Sequence, residues 1–372
     1  INSKINRNLK KTFLKNNSQT KTQFLLGPKY SIIDSNTQFK KNNKFQIIFY
    51  VGGGGDLYPI AKIIKPLQSM IQTLEKKISL IIIIGPLSKN KKKITHLLRK
   101  YKNVNFLEGE NNIIKYLKTS KIFVGTSGTS IYETAYSKIP SLLFQISKNQ
   151  ENNSMMLEKI GHYLNFGKKD FQNYLKIAKL IFLLIKKYKR FKNMIIMPEI
   201  KIDKNGIDRI VNSLFNSFAR KLNDKNLYLK GKNLNEVNHK YKIRKVNDKD
   251  INHYLFSRNL DINRSSSISQ KKISTIDHYL WWFNSDRESF VLTKNDKKIL
   301  YFFHENVFLN NQKFWWGGWF PASEECDINE ILYALKIQLE ITNNKSKKIK
   351  WISVIRKNNI IALNLIKNLG FK

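Results

Sequence analysis

The residues best suited to bind an anion form a turn of glycines and hydroxyl side chains: Gly125, Thr126, Ser127, Gly128, Thr129 and Ser130. The turn follows the apolar run 122–124 and precedes a helical pattern that contains Glu133. A strand, a flexible turn and a helix in this order bring backbone N–H groups and the positive end of a helix dipole to one point. A carboxylate one turn into the helix can accept hydrogen bonds from sugar hydroxyls. The pattern predicts a nucleotide or nucleotide-sugar site on an α/β domain.

Two other segments end expected strands in the same half of the chain. Gly53, Gly54 and Asp56 follow the run 45–51, and Asn149 with Gln150 follows the run 141–146. Ligands of α/β domains bind at the carboxyl ends of parallel strands, so we expect these residues to contact the same ligand. Structural roles are the alternatives: a turn that needs positive φ for the glycines, a helix cap for Asn149 and Gln150, and an exposed helix position for Glu133.

Alternation of short apolar runs with amphipathic stretches predicts how the first half positions these residues. We expect strands at 45–51, 78–84, 103–107, 121–124 and 141–146, separated by helices. This order is typical of a Rossmann-like parallel sheet covered by helices on both faces. Helices are expected to continue over 169–222, with Pro198 and Gly206 as breaks.

The pattern changes after a polar stretch at 223–239. Strands are expected at 241–246, 289–294, 298–305, 313–320 and 350–355. Helices are expected from a cap at Asp248 to Arg258, and over 274–283 and 359–369. A further helix, about 327–342, begins with the capping-box pair Asp327 and Glu330. These elements predict an α+β domain.

The expected organisation therefore has four parts. Residues 1–44 are an interdomain segment, 45–222 a nucleotide-sugar-binding domain, 223–239 a linker and 240–372 the second domain. Because the sequence starts with Ile1 and stops just after Gly370 and Phe371, we expect a fragment truncated at both ends.

Composition excludes several classes of protein. The net charge of +40 comes mainly from Lys, which outnumbers Arg roughly fivefold and is spread along the chain, so no nucleic-acid partner is predicted. No apolar run reaches the length of a membrane span. A single cysteine, Cys326, excludes a disulfide framework and fits a cytoplasmic protein. The six histidines show no metal-ligand spacing, so no metal site is predicted.

An ordered set of motifs gives the first half a family resemblance. The motifs are residues 25–30 (LLGPKY), 52–56 (GGGGD), Gly128-Thr129-Ser130 with Glu133, Pro140, and Asn149-Gln150. Over about residues 20–190 the chain resembles the C-terminal domain of GT-B enzymes. It is most similar to the pseudaminic-acid pathway hydrolase that cleaves UDP from a 2,4-diacetamido-2,4,6-trideoxy sugar, and to spore-coat polysaccharide relatives.

That resemblance implies which chemistry the first half supplies. It implies that the residues named above bind a UDP-linked amino-sugar. Ser127 departs from the family, where a second glycine is usual at this position. The family's N-terminal domain, whose glycine-rich loop carries the catalytic histidine, has no counterpart in this sequence. We therefore expect the nucleotide-binding half without the main catalytic group.

The second half, about 240–372, resembles a GNAT acyltransferase. The carrying residues are Asn359, Ala362, Leu365 and the ending Leu369-Gly370-Phe371, together with an early segment that includes Arg258-Asn259, His278 and Trp281-Trp282. The resemblance implies acetyl-CoA as co-substrate, with Asn359 and Ala362 beside its pantetheine arm. His278 is a candidate general base, with an aromatic cluster as its alternative role. The usual pyrophosphate loop is replaced by Ser323 to Asp327, which contains three carboxylates that would repel a pyrophosphate.

Together these observations predict a two-module sugar-nucleotide enzyme of surface-glycan, nonulosonate-like biosynthesis. UDP-sugar hydrolysis would be coupled with N-acetylation of an amino-sugar. The alternative is a GT-B glycosyltransferase whose GNAT-like domain is a non-catalytic binding module. The sequence leaves the sugar and the oligomeric state open.

Overall fold

The computed structural model describes residues 25–34, 44–110, 112–146, 150, 154–219, 241–323 and 326–371. The chain divides into two compact units, Ile1–Leu229 and Lys230–Lys372. The expected linker and most of the expected interdomain segment lie outside the described residues, so the predicted domain limits remain predictions.

The first unit is built on a six-stranded parallel sheet. Its strands are β1 (Phe45–Tyr50), β2 (Ile78–Ile84), β3 (Val104–Glu108), β4 (Ile122–Thr126), β5 (Ser141–Phe144) and β6 (Leu164–Phe166). Their order across the sheet is β3-β2-β1-β4-β5-β6. All five neighbouring pairs are parallel. The predicted Rossmann-like parallel sheet is confirmed, and β6 is an additional strand that the sequence did not indicate.

Helices follow most strands of this unit. They are α1 (Tyr58–Ile71), α2 (Lys91–Leu98), α3 (Ile114–Thr119), α4 (Ser130–Tyr136), α5 (Ser154–Lys159), α6 (Lys168–Phe171), α7 (Tyr174–Lys186), α8 (Tyr188–Met194) and α9 (Gly206–Ala219). The isoleucine run of β2 is buried nearly throughout, which is the expected pattern for a parallel strand covered on both faces. α1 packs against α7, and its apolar side chains, among them Ile60, Ile64 and Leu67, are buried.

The second unit contains a five-stranded sheet in the order β11-β10-β9-β8-β7. The strands are β7 (Tyr241–Lys245), β8 (Glu288–Lys294), β9 (Lys297–Leu309), β10 (Gln312–Pro321) and β11 (Lys350–Ile352). The pairs β7–β8, β8–β9 and β9–β10 are antiparallel, whereas β10 and β11 are parallel. The predicted mixture of strands and helices in this half is confirmed.

The helices of the second unit begin close to the predicted residues. They are α10 (Ile251–Arg258), α11 (Asp261–Ser265), α12 (Thr275–Asn284), α13 (Ile328–Lys345) and α14 (Ile360–Asn368). The predicted capping box at Asp327 and Glu330 is confirmed. The cap predicted at Asp248 is wrong: Asn247 caps a short 3-10 helix, Asp248–Asp250, and Asp250 completes the box. The side-chain oxygen of Asn247 reaches the backbone N–H groups that the turn leaves free.

β10 and β11 pair over a short distance only. Their register joins Phe314 to Trp316 with Lys350 to Ile352. β10 then continues to Pro321, while the strand predicted to reach residue 355 ends at Ile352. Two parallel strands therefore part at this point and open a gap at the carboxyl end of the pair.

Candidate functional sites

The first candidate site lies where the strand order of the parallel sheet reverses. β1 has β2 on one side and β4 on the other. The chain adds β2 and β3 on the first side and then crosses over β1 to place β4 on the second side. Tyr50, the last residue of β1, pairs with Gly125 near the end of β4. The loops that follow both strands therefore lie side by side at the carboxyl edge of the sheet. Open α/β sheets bind ligands at such a reversal.

Glycines let the loops at this edge approach one another closely. A Cβ at Gly125 would lie 2.3 Å from the Tyr50 carbonyl oxygen, so only glycine fits there. A Cβ at Gly85, after β2, would lie 2.6 Å from the Gly52 oxygen. The Leu87 N–H donates to the Gly53 oxygen at 2.7 Å. Gly85 was not among the predicted site residues, although it supports the first glycine loop.

Several predicted site residues hold the loops in place. Thr126, Ser127 and Ser130 are buried. The Ser127 N–H donates to the Phe144 oxygen at 3.1 Å, and its hydroxyl donates to the Gln150 oxygen at 3.2 Å. The serine that replaces the family's glycine thus ties the loop after β4 to the segment after β5.

Of the remaining predicted residues, some form hydrogen bonds within the protein and others are exposed to solvent. The Asp56 carboxylate accepts hydrogen bonds from the Tyr58 N–H at 2.9 Å and from the Asn90 amide at 2.7 Å, so it orders the start of α1. Gly53, Gly54 and Thr129 are exposed, and Gly128 is partly exposed. Their backbone groups are the ones a ligand can reach. Gln150 accepts from the Ile146 N–H at 3.1 Å, and Asn149 lies outside the described residues.

Glu133 is a carboxylate close enough to the end of β1 for its charge to act on Tyr50. It lies in the first turn of α4 and is half-buried. Burial raises the pKa of its carboxyl, and both burial and the Glu133 charge raise the pKa of the Tyr50 phenol. Among the described residues we find no hydrogen bond or ion pair to this carboxylate. A half-buried carboxylate in this state is an acceptor available to a ligand's hydroxyl groups.

His162 forms hydrogen bonds with α4, a role that the sequence did not indicate. Its side chain is buried, and its Nε2 lies 2.8 Å from the Ile131 oxygen and 3.1 Å from the Thr134 hydroxyl. Burial lowers the pKa of the imidazole to about 4, so the ring is neutral at pH 7.

The second candidate site is a cavity of about 690 Å³ in the second unit. It opens at the gap between β10 and β11: Gly317 to Pro321 line one side, and Ser353 to Arg356 line the other. The three residues predicted for this half, His278, Asn359 and Ala362, all line it. They come from α12, the turn before α14 and α14 itself, and the fold brings them to one space.

His278 is buried and has one clear hydrogen bond. Its Nε2–H donates to the Ile251 oxygen at 2.8 Å, which leaves Nδ1 as the nitrogen with a lone pair. No described residue donates to that nitrogen. Burial lowers the pKa of His278 to about 4, so the ring is neutral at pH 7. It also stacks at 6.1 Å on Tyr254, consistent with the alternative role in an aromatic cluster.

Asn359 is engaged in the local structure of the gap. Its side-chain oxygen accepts from the Ala362 N–H at 3.1 Å and so caps α14. Its amide nitrogen donates to the Ser266 oxygen at 3.4 Å. The cap fixes the direction of α14 along the cavity and places Ala362, a small buried residue, on the wall.

The start of α13 does not fit a pyrophosphate. The Asn329 N–H donates to the Asp327 carboxylate at 2.6 Å, and the Asp327 N–H donates to the Glu330 carboxylate at 3.1 Å. These amides are therefore occupied, and by negative groups. Burial, Glu330 and Asp327 together raise the pKa of the neighbouring Cys326 thiol to about 12, which makes it a poor nucleophile. This turn therefore offers no place for the diphosphate of coenzyme A.

Another wall of the cavity contains Arg287 and several aromatic rings. The sequence did not predict this cluster. The Arg287 guanidinium pairs with Glu305 at 2.7 Å and lies 4.1 Å from the Phe303 ring centroid. Trp281 and Trp316 lie 5.4 and 5.2 Å from the same group. Arg287 lies outside every motif, so the sequence alone carries no signal for this cluster.

No protein-family model matches the chain, and no curated protein matches its sequence. Three solved structures illustrate its structural similarities. The Neisseria meningitidis UDP-GlcNAc 2-epimerase bound to UDP-GlcNAc is 15% identical, with a TM-score of 0.34, over 56% of this chain and 50% of that one. The pneumococcal O-GlcNAc transferase GtfA in complex with UDP and GlcNAc is 11% identical, with a TM-score of 0.40, over 60% and 45%. A possible acetyltransferase from Clostridium difficile 630 is 16% identical, with a TM-score of 0.30, over 35% and 90%.

This chain thus spans about half the length of the epimerase and of the O-GlcNAc transferase. All three TM-scores are below 0.5, so these similarities carry no weight for its activity. Within the described residues, no cluster of His, Cys, Asp and Glu side chains is arranged to hold a metal ion. No helix in the described part of the chain is both long and apolar enough to cross a membrane.

Proposed function

We propose that the first unit binds the nucleoside diphosphate of a sugar nucleotide, specifically a UDP-linked amino-sugar. The observation that carries the proposal is the reversal of strand order between β1 and β4, with a glycine loop after each strand and Glu133 beside it. Gly53 and Gly54 are exposed and Gly128 is partly exposed, and the backbone N–H groups of such residues suit phosphate oxygens. The half-buried Glu133 suits the paired hydroxyls of a ribose.

The proposed reaction is release of UDP from the sugar, by hydrolysis or by transfer to an acceptor. In both cases negative charge develops on the departing diphosphate. Fixed backbone N–H groups that point at this charge stabilise it without reorganising during the reaction. Hydrolysis and glycosyl transfer differ only in whether water or a sugar hydroxyl attacks. UDP release measured with and without an acceptor sugar separates them.

Glu133→Gln tests the nucleotide site. Because charge-assisted hydrogen bonds are worth about 1–3 kcal/mol, the substitution is expected to weaken UDP binding to the first unit by about 10- to 100-fold. Hydrogen–deuterium exchange of residues 125–133, followed as UDP is titrated into the full chain, measures it, because this signal comes from the first unit alone. Glu75→Gln, which changes an exposed glutamate of the same unit, is the matched control and should leave the affinity unchanged. Equal affinity in Glu133→Gln and the control would remove Glu133 from the site.

We propose acyl transfer to an amine as the activity of the second unit. The cavity at the parting of β10 and β11 favours it, because this gap admits a slender pantetheine arm between two strands. An acyl thioester supplies a carbonyl that an amine can attack. The lone pair on His278 Nδ1 is the candidate group to accept the amine's proton. The alternative is a unit that binds its ligand without catalysis, which the occupied turn at Asp327 favours.

Blocking the gap tests the second activity. Ala362→Leu adds bulk to the cavity wall, and Leu363→Phe adds bulk at the neighbouring position, which does not line the cavity. Thiol release from acetyl-CoA in the presence of a UDP-linked amino-sugar should be lost in Ala362→Leu and retained in Leu363→Phe. If the unmodified chain neither binds acetyl-CoA nor releases thiol, the non-catalytic alternative stands.

A further inference from the structure

The cavity of the second unit has a strongly cationic lining. Arg258, Arg287 and Arg356 line it, and its lining contains no aspartate or glutamate among the described residues. The chain has ten arginines against a large excess of lysines, so three in one cavity is a local concentration. Arginine is the side chain that binds phosphate and carboxylate groups in a bidentate manner.

Two of the three arginines have structural partners. Arg287 pairs with Glu305 and is enclosed by aromatic rings. Arg356 donates to the Ser265 oxygen at 3.0 Å and so holds the segment after β11. These contacts explain why both guanidinium groups are positioned where they are.

Arg258 has no comparable partner. It ends α10 and is partly buried, and it donates one long hydrogen bond, to the Asn263 oxygen at 3.5 Å. No described carboxylate lies within salt-bridge distance of it. Burial lowers the pKa of its guanidinium, Tyr254 opposes this shift, and Arg287 adds to it. A cation at a helix C-terminus is favourable by itself, but an exposed side chain would provide that without the cost of desolvation.

We propose that Arg258 anchors a phosphate group of the amine-bearing acceptor in this cavity. The inference rests on acyl transfer as the activity of the second unit, and it makes the acceptor a sugar nucleotide rather than a neutral amine. The neighbouring rings of Trp281 and Trp316 provide flat faces on which the base or the sugar stacks. Arg287, already paired with Glu305, supports the wall beside it.

Tryptophan fluorescence isolates this site from the first unit. All six tryptophans of the chain lie between residues 281 and 351, and four of them line the cavity. The first unit, Ile1–Leu229, contains no tryptophan. The full chain is titrated with UDP, with uridine and with coenzyme A, in the unmodified form and as Arg258→Gln and Arg258→Lys. Lys271→Gln removes one exposed positive charge of the same unit and is the matched control.

UDP should quench the fluorescence, with an affinity at least 10-fold weaker in Arg258→Gln and unchanged in Lys271→Gln. Uridine should bind more weakly than UDP and be insensitive to Arg258→Gln. Arg258→Lys keeps the charge but loses the planar fork, and should give an intermediate affinity. Melting temperatures of all variants separate a lost anchor from a lost fold.

Three outcomes would overturn the proposal: no quenching by UDP, equal UDP affinity in Arg258→Gln and Lys271→Gln, or a dependence on Arg258 for coenzyme A alone. The last would assign the phosphate to the acyl donor. These outcomes are separate from the failure of acyl transfer itself, because thiol release is measured independently with Ala362→Leu.

Discussion

At the scale of single residues, Asp250 is a carboxylate whose surroundings determine its charge. It is buried, and its two oxygens accept from both terminal nitrogens of Arg244 at 2.7 and 2.9 Å. Lys298 lies 2.9 Å away, and the Asn247 N–H donates at 3.0 Å. Burial alone would raise the pKa of this carboxyl, but these partners lower it to about 2. The cluster joins β7 to the start of α10.

Asp250→Asn is expected to destabilise the second unit. A pKa lowered from 3.8 to about 2 corresponds to about 2 kcal/mol of folding free energy. Since the folded pKa lies below the unfolded one, this contribution is complete above about pH 4 and is lost as the pH falls towards 2. Urea unfolding followed by tryptophan fluorescence measures it. Asp296→Asn, which breaks the exposed pair with Lys242, should change stability little; equal effects would contradict the assignment.

Residue types and spacing predicted Glu133, Asn359 and His278 as site candidates, because each belongs to a local pattern along the chain. Arg287 and Phe303 could not be predicted in the same way. They belong to different elements, and only the folded sheet brings them together around the cavity. Arg258 was visible as part of a motif, but its lack of a partner is a property of the fold.

At the scale of elements, the glycines after β1, β2 and β4 decide how closely the strand ends can approach. Gly125→Ala is expected to destabilise the first unit by about 1–3 kcal/mol, because its Cβ would lie 2.3 Å from the Tyr50 oxygen and 2.6 Å from the Phe123 ring. Gly128→Ala is the matched control in the same loop, since its Cβ would meet only the Thr126 hydroxyl at 3.8 Å. Thermal unfolding followed by far-ultraviolet circular dichroism compares the two variants. Equal melting temperatures would contradict the interpretation that only glycine fits at position 125.

Element type followed from the sequence wherever the apolar pattern was long. The apolar run 78–84 predicted the buried strand β2, and the pair Asp327 and Glu330 predicted the start of α13. Short elements were missed: β6 has three residues and α11 has five, too few to show a period. β11 is shorter than predicted because its pairing with β10 stops at Ile352, which depends on the partner strand rather than on its own residues.

At the scale of the whole molecule, ligand binding to the two units can be followed separately, because their tryptophan content differs. The nucleotide site proposed for the first unit has no tryptophan, whereas the cavity of the second is lined by four. The charge of +40 is spread along the chain, so it does not single out either site. Specific binding must therefore come from local geometry: strand reversal in one unit, and a gap between parting strands in the other.

Hydrogen–deuterium exchange of the full chain, with and without UDP, tests directly whether the first unit binds a nucleoside diphosphate at the strand reversal. We expect slower exchange of amides in residues 52–57 and 125–133, because both loops would donate to or be covered by the same ligand. Unchanged exchange in both segments, under conditions where calorimetry shows UDP bound, would contradict it.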